Sequence, residues 1–419
     1  MLISVAAKNF LSFEDTVKLD MSASEGGRRA KYRIGPNSIH QFAALYGETA
    51  SGKTNLVKIL EFIRECVTEG IPMEAGMMYC RRREENKDQE SFFELLIETE
   101  GIVYSYSFSA LLKDRRIISE QICEIGEDGS VRVLFQKESG KKPVLDGSVI
   151  RTEKDAMTWD VYCGDYEDQA GKLFLTFMNE GKRYEEDAPL DFFQDIYNWI
   201  KNSIRVYRPD AEAVQYESVY DEVGFRKMAK LLKAFDMGVT EIKPVECALS
   251  KLKAELTEKE FQTLFDDLTH ELQSSTKDTV FRSMRIQDHF FRLTYKKEGK
   301  LEVDTIQLYH EALHVGLSFE EEAAGTRRLF DLLDLLLSEK KDRVYVLDGL
   351  DTGLHPLVVK ELISLFEEIP RERKIQFILI SSRGSMPVTQ SLRDEEIWLL
   401  KKDAKGCSQL CALDHFIKV

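Results

Sequence analysis

Gly47, Gly52, Lys53 and Thr54 stand at the spacing G-x-x-x-x-G-K-[ST] in the stretch Gly47-Glu48-Thr49-Ala50-Ser51-Gly52-Lys53-Thr54-Asn55. That spacing suits the capture of phosphate. Glycines let the backbone turn successive N–H groups onto phosphate oxygens, Lys53 offers a cation to the outer phosphates, and the Thr54 hydroxyl suits magnesium. ATP with Mg2+ is the cofactor class this implies. A second group lies far downstream, where the apolar run Arg343-Val-Tyr-Val-Leu-Asp348 ends in a carboxylate and is followed by Asp351 and Leu354-His355-Pro356. Asp348 is expected beside Thr54 as a magnesium ligand, directly or through water. Between them, Glu321-Glu322-Ala323-Ala324-Gly325-Thr326-Arg327-Arg328 joins an acidic run to small residues, and Gly325 and Thr326 mark a helix N-terminus of the kind that attracts phosphate.

These residues need particular elements to hold them. The apolar run Phe42 to Tyr46 predicts a buried strand, and Leu56, Leu60, Ile63 and Val67 recur at helical spacing, so the glycines fall between a strand and a helix. An ordinary turn rich in small residues would not require those flanks. Leu329, Leu332, Leu333 and Leu336 give the downstream helix one apolar face, and a further helix is expected from Leu357 to Ile369. Residues 1 to 20 alternate like a strand, and Ser22 to Asn37 reads as a polar loop with Gly26-Gly27 and Gly35-Pro36. Phe92 to Ile97 with Ile102 to Phe108, and Ile117 to Ile125 with Val131 to Phe135, predict two hairpins and hence an antiparallel sheet. Asp187-Ala188-Pro189 looks like a helix start before Phe192, Ile196, Trp199 and Ile200. From Glu222 to Asp288 the pattern is helical and charged, with a capping box at Thr257-x-x-Glu260, and predicts an inserted lid. The expected division is 1–210 and 301–419 for a nucleotide-binding head and 211–300 for a helical lid or arm. The fold class is α/β, with a mixed sheet carrying the phosphate loop and an additional antiparallel sheet.

Composition narrows the function. With 43% hydrophobic and 31% charged residues the chain can bury a large core, while a net charge of −15 opposes a broad nucleic-acid footprint. Arg81-Arg82-Arg83 runs into Glu84-Glu85 and reads as a self-compensating loop. The seven cysteines are scattered without a C-x-x-C pair, so neither a disulfide framework nor a zinc site is indicated, and Cys407 and Cys411 read as core or strand residues. His310-Glu-Ala-Leu-His314 matches H-E-x-x-H literally, yet a zinc protease would need a helix there and a third ligand, which Gly316 and strand-like flanks oppose. No apolar run has the length of a signal peptide or a membrane span, so a cytoplasmic protein without a membrane partner is expected.

Asn9-Phe-Leu-Ser-Phe13, Gly47 to Thr54, Glu321 to Arg328, Leu354-His-Pro356 and, in the tail, Arg393-Asp-Glu-Glu-Ile-Trp398 occur in the order of ABC-class ATPases of the OLD and RecF type, which the chain resembles over nearly its whole length. The resemblance implies an ABC-type head, an inserted arm, and a signature segment that covers the nucleotide held by the phosphate loop of another subunit. ATP would then drive dimerisation, as a homodimer or a heterodimer. It further implies a place in bacterial defence against phage, and, with no nuclease domain expected in this chain, a separate effector such as a nuclease or toxin. DNA remains a conceivable partner that the acidic charge disfavours. Three positions depart from the family pattern: Gly349 stands where Glu is usual after the Walker B aspartate, Ala323 where the signature has Ser, and Arg383 where a switch histidine is expected. The catalytic group is thereby reduced to Asp348, Asp351 and Arg383, with Asp351 or Glu322 as a replacement base. Loss of a water-activating group costs about two to four powers of ten in rate, so slow or silent hydrolysis is expected; an active ATPase motor or sensor, acting on DNA or with a nuclease partner, is the alternative. The glutamine-loop residue is either Gln89 or Gln121.

Overall fold

The computed structural model describes residues 1–23, 31–34, 37–166, 171–182, 188–381 and 392–413. The chain divides into two compact units, Met1–Val206 with Lys341–Leu350 and Pro370–Val419, and Tyr207–Lys340 with Asp351–Ile369. It is a mixed α/β protein. Among the described residues, no helix is long and apolar enough to cross a membrane.

The first unit holds two large sheets. One is antiparallel and runs in the order Val144–Leu145, Val131–Glu138, Arg116–Ile125, Ile102–Leu111, Ser91–Thr99, Leu2–Lys8, Val17–Asp20. Its first hairpin turns at Glu100 and Gly101, whose φ values of 48° and 82° match the right-handed twist of the strands they join. The other sheet runs Ile204–Tyr207, Arg343–Leu347, Ile375–Ile380, Phe42–Gly47, Ile397–Lys402, Ser408–Ala412, with the four strands from Arg343–Leu347 to Ile397–Lys402 parallel. The parallel strands read as continuous apolar runs because both faces are covered; Ile375–Ile380 is buried at every position. Helix Lys53–Thr68 buries Leu56, Leu60, Ile63 and Val67 as its spacing predicts. Phe10 packs against Phe62 of that helix at 5.0 Å and against Phe93 of the antiparallel sheet at 5.2 Å, so the Asn9-to-Phe13 turn ties the sheet to the helix.

Some expectations shift in detail. The loop from Ser22 to Asn37 includes strands Ser22–Ala23, Tyr32–Ile34 and Asn37–Ile39, which form a small sheet, while Gly26-Gly27, Gly35-Pro36 and Asp187 lie outside the described residues. Helix Phe192–Ser203 buries Phe192, Ile196, Trp199 and Ile200 as expected. The arginine run is not balanced by Glu84 and Glu85. Arg82 and Arg83 both pair with Glu14, which the fold brings from far upstream.

The second unit corrects the reading of 211–300 as a helical arm. It contains helices Glu222–Ala234, Leu249–Glu255 and Glu258–Ser274, but also an antiparallel sheet in the order Ala213–Tyr216, Thr279–Ile286, His289–Lys296, Leu301–His310, Val239–Glu246. The capping box at Thr257 and Glu260 is present. The unit also continues beyond residue 300 and takes in the helix Ala324–Leu337. That helix is fastened by buried polar groups. Asp331 accepts from Tyr216 Oη at 2.6 Å and pairs with Arg285 at 2.9 Å, and Asp334 accepts from the backbone N–H groups of Glu217 and Ser218 at 2.8 and 3.0 Å. Charges inside a unit persist only when paired in this way.

Candidate nucleotide site

Phe42–Gly47 leads into the phosphate loop and helix Lys53–Thr68 follows it, so the strand–loop–helix order holds. Gly52 sits at φ 108°, a backbone conformation that a side chain resists, and a Cβ there would lie 2.3 Å from Ser408 Oγ. Gly47 is equally confined, since its Cβ would meet the Leu400 carbonyl oxygen at 2.3 Å. Glu48, Thr49, Ala50 and Thr54 are exposed, whereas Ser51 and Lys53 are buried. Lys53 Nζ donates to the Gly47 and Glu48 carbonyl oxygens at 2.6 and 2.9 Å, which holds the ammonium within the curl of the loop. Helix Lys53–Thr68 has no side-chain cap and no acidic residue in its first turn. Its N-terminal donors and positive end thus meet no competing carboxylate from their own turn.

The residues that brace this loop were not identifiable from the motif. Ser408 Oγ donates to the Ser51 carbonyl oxygen at 2.6 Å and lies 2.8 Å from Ser12 Oγ, and Asn55 Nδ2 donates to Ser12 Oγ at 2.8 Å. Ser408 N also donates to the Ser12 carbonyl oxygen at 2.8 Å. Both serines are distant in sequence from the loop, and nothing local marks them. Ser12 does fall within Asn9-to-Phe13, whose Asn9 is buried: its Nδ2 donates to the Asn86 and Gln89 carbonyl oxygens at 2.9 and 3.1 Å. Gln89 therefore lies on a segment tied to the phosphate-loop brace, while Gln121 lies inside the antiparallel sheet opposite Ser107 and Gln136.

Asp348, expected beside Thr54, is separated from the phosphate-loop strand by Ile375–Ile380. Two strand spacings set the backbones about 10 Å apart. The register still brings both to the carboxyl edge of the parallel sheet, where Leu347 is opposite Leu379 and Ile380 opposite Leu45. Leu350 N donates to the Ile380 carbonyl oxygen at 3.1 Å and Ser381 N to the Leu45 carbonyl oxygen at 3.3 Å, so the ends of these strands are stitched together. Ligands of parallel α/β sheets bind at this edge. Asp348 is half-buried there, and Gly349 follows at φ 61°. The missing glutamate thus coincides with a backbone conformation that favours glycine. Arg383 lies outside the described residues.

The signature segment belongs to the second unit. Helix Ala324–Leu337 begins without a side-chain cap, Ala323 and Ala324 are exposed, and Gly325 is half-buried. A Cβ on Gly325 would come within 2.8 Å of the Gly353 carbonyl oxygen, so glycine allows this turn to approach the one after Asp351. Thr326 is buried, with its hydroxyl 3.9 Å from Met237 Sδ, so only its backbone N–H belongs to the helix end. Glu322 is buried too, and its Oε1 lies 2.7 Å from His310 Nε2. His310 ends strand Leu301–His310, which removes the helix that a zinc-protease reading of His310 to His314 requires. Asp351 is buried within the same unit, and His355 Nδ1 caps helix Pro356–Glu367 by accepting from Leu357 N at 3.3 Å.

The residues present fit a nucleotide triphosphate with magnesium. The loop curls round an ammonium, the helix behind it starts without a side-chain cap, the Thr54 hydroxyl is exposed, and a carboxylate stands on the same sheet edge. Bound magnesium would draw charge from the outer phosphates, with Thr54 and Asp348 as the residues to hold it. Fold and loop together define a P-loop ATPase-type nucleotide-binding protein. The chain matches the family described as "AAA domain, putative AbiEii toxin, Type IV TA system" over residues 42–153 and 180–381, well over half of its length, and it belongs to that family. A search of curated proteins returns no match.

Proposed function

We propose that ATP with magnesium acts on this chain as a ligand that closes a homodimer, and that the closed dimer gates a separate effector, a nuclease or toxin, in bacterial defence against phage, in the manner of the OLD and RecF-like group. The reading is carried by one contrast. The phosphate-binding parts are built and braced, whereas the position that would activate water after Asp348 is a glycine in a left-handed conformation. Of the two acids available as replacements, Glu322 is engaged by His310 and both are buried. The exposed, uncapped start of the signature helix supports the dimer, because such an end offers N–H donors to a phosphate held by another subunit. The toxin-related description of the family agrees with an effector-linked role. Phosphate release by the purified chain tests the reading. Turnover far below about one per second, the low end of ordinary enzymes, is expected. Faster turnover that disappears in Lys53→Ala would identify a working ATPase instead, and its loss in Asp351→Asn or Glu322→Gln would name the base.

A further inference from the structure

Outside the nucleotide site, the second unit presents to solvent a run of cations on one helix and, just before that helix, an aromatic pair. Helix Glu222–Ala234 buries Phe225, Met228, Ala229 and Leu232 and turns Arg226, Lys227, Lys230 and Lys233 outward. Lys233 is paired with Glu311 at 2.6 Å. Among the described residues, Arg226, Lys227 and Lys230 have no ion-pair partner, and Arg226 Nε donates to the Glu222 carbonyl oxygen at 3.2 Å. In a chain of net charge −15, three unneutralised cations within two turns are a local reversal of sign. Val223, Lys227 and Lys230 follow i, i+4, i+7 spacing and form one stripe with Arg226 at its side, and Tyr220 stands two residues before the first residue of the helix. Tyr220 is 38% exposed and stacks on Phe281, which is 46% exposed, with ring centroids 6.4 Å apart and planes within 20°. Of the nearest acids, Asp221 is engaged as the helix cap on Gly224 N, and Glu222 lies one turn before Arg226 but off the line of Lys227 and Lys230.

We propose that this stripe binds single-stranded nucleic acid, with the phosphates along Arg226, Lys227 and Lys230 and a base stacked on the Tyr220–Phe281 pair. Exposed rings beside a line of cations are the two components of sequence-tolerant single-strand binding, because every base has a flat face and every nucleotide a phosphate. A duplex would hide the base faces, and an acidic peptide would need the cations but not the rings. The surface lies within one unit and does not depend on the reading of the nucleotide site.

The test is fluorescence anisotropy of a labelled oligothymidylate of about 16 nucleotides with the full chain, titrated with salt. Binding should weaken with a log–log slope of roughly −2, the value for three phosphates on a single strand. Lys227→Glu with Lys230→Glu should cost at least about tenfold in affinity and flatten that slope. Tyr220→Ala with Phe281→Ala should cost about tenfold while leaving the slope unchanged, an effect that loss of charge would not produce. Lys53→Ala should bind the oligonucleotide as the wild type does, which separates this outcome from any failure at the nucleotide site. Should the ring variant unfold, the lysine variant, which changes only exposed side chains, still decides. No binding, binding indifferent to the lysine variant, or a ring variant that folds and binds like the wild type would overturn the proposal, as would equal competition by duplex DNA or polyglutamate.

Discussion

Lys53 is the residue that tests nucleotide binding most locally, since its ammonium is held within the loop at the Gly47 and Glu48 carbonyls. A ligand that binds only the folded state stabilises it by about 2.7 kcal/mol at a hundred times its Kd, so Mg-ATP should raise the melting temperature of the wild type and leave Lys53→Ala unmoved. An equal rise in both, read by differential scanning fluorimetry, would place the phosphates elsewhere. Gly349 gives the opposite kind of prediction. Gly349→Glu supplies the absent carboxylate and should raise phosphate release in part, yet its φ of 61° makes a side chain unfavourable by about 1 to 2 kcal/mol, so the gain should come with a lower melting temperature. A variant as stable and as inactive as the wild type would contradict both halves of that expectation. The motif residues were readable because their chemistry is local, each fixed by neighbours within a few positions. Ser12 and Ser408 were not, because their role arises only when the start and end of the chain meet behind Gly52. The same reason explains Glu14: Arg82 and Arg83 find it across the fold, and their adjacency to Glu84 and Glu85 misdirects a reading from sequence.

At the scale of elements, periodicity predicted the two hairpins and the phosphate-loop helix, whose apolar faces are regular. It failed in the second unit, where Thr279–Ile286 carries Arg282 and Arg285 and the sheet is interleaved with charged helices, so that a helical pattern dominated. Arg285 could not be recognised as interior until Asp331 was opposite it. In the first unit, Glu120 of strand Arg116–Ile125 accepts from Phe174 N, Leu175 N and Tyr106 Oη at 2.6, 3.0 and 3.0 Å and so pins helix Phe174–Asn179 to the antiparallel sheet. Burial pushes its carboxyl up to about 7, against three hydrogen bonds that favour the charged form. Because the folded value lies above the unfolded one, the stability linked to this proton is complete below about pH 4.5 and is lost as pH rises toward about 7, on the order of 3 kcal/mol in all. Denaturant unfolding across that range should show wild-type stability falling relative to Glu120→Gln; parallel curves would mean that Glu120 keeps its ordinary titration. The signature helix offers a cleaner probe of association than Gly325, whose substitution would also press on Gly353. Ala324 is exposed at the helix start, so Ala324→Arg should leave the monomer folded and able to bind ATP while preventing dimers.

For the whole molecule, the α/β class and the presence of an ATPase-type nucleotide site were readable from sequence, because a phosphate loop and a strand ending in Asp348 require a parallel sheet. The division into units was not. The second unit is assembled from Tyr207–Lys340 and Asp351–Ile369, and so claims the signature helix that a linear reading assigns to the head. The proposed function nonetheless makes a claim about the whole chain, that ATP closes it into a dimer. The most direct measurement of that claim is the mass of the purified chain by light scattering, followed for hours after addition of excess Mg-ATP. The mass should double and stay doubled while the nucleotide remains unhydrolysed, and neither Lys53→Ala nor Ala324→Arg should respond. A mass unchanged by ATP, or a dimer that decays as phosphate is released, would contradict it.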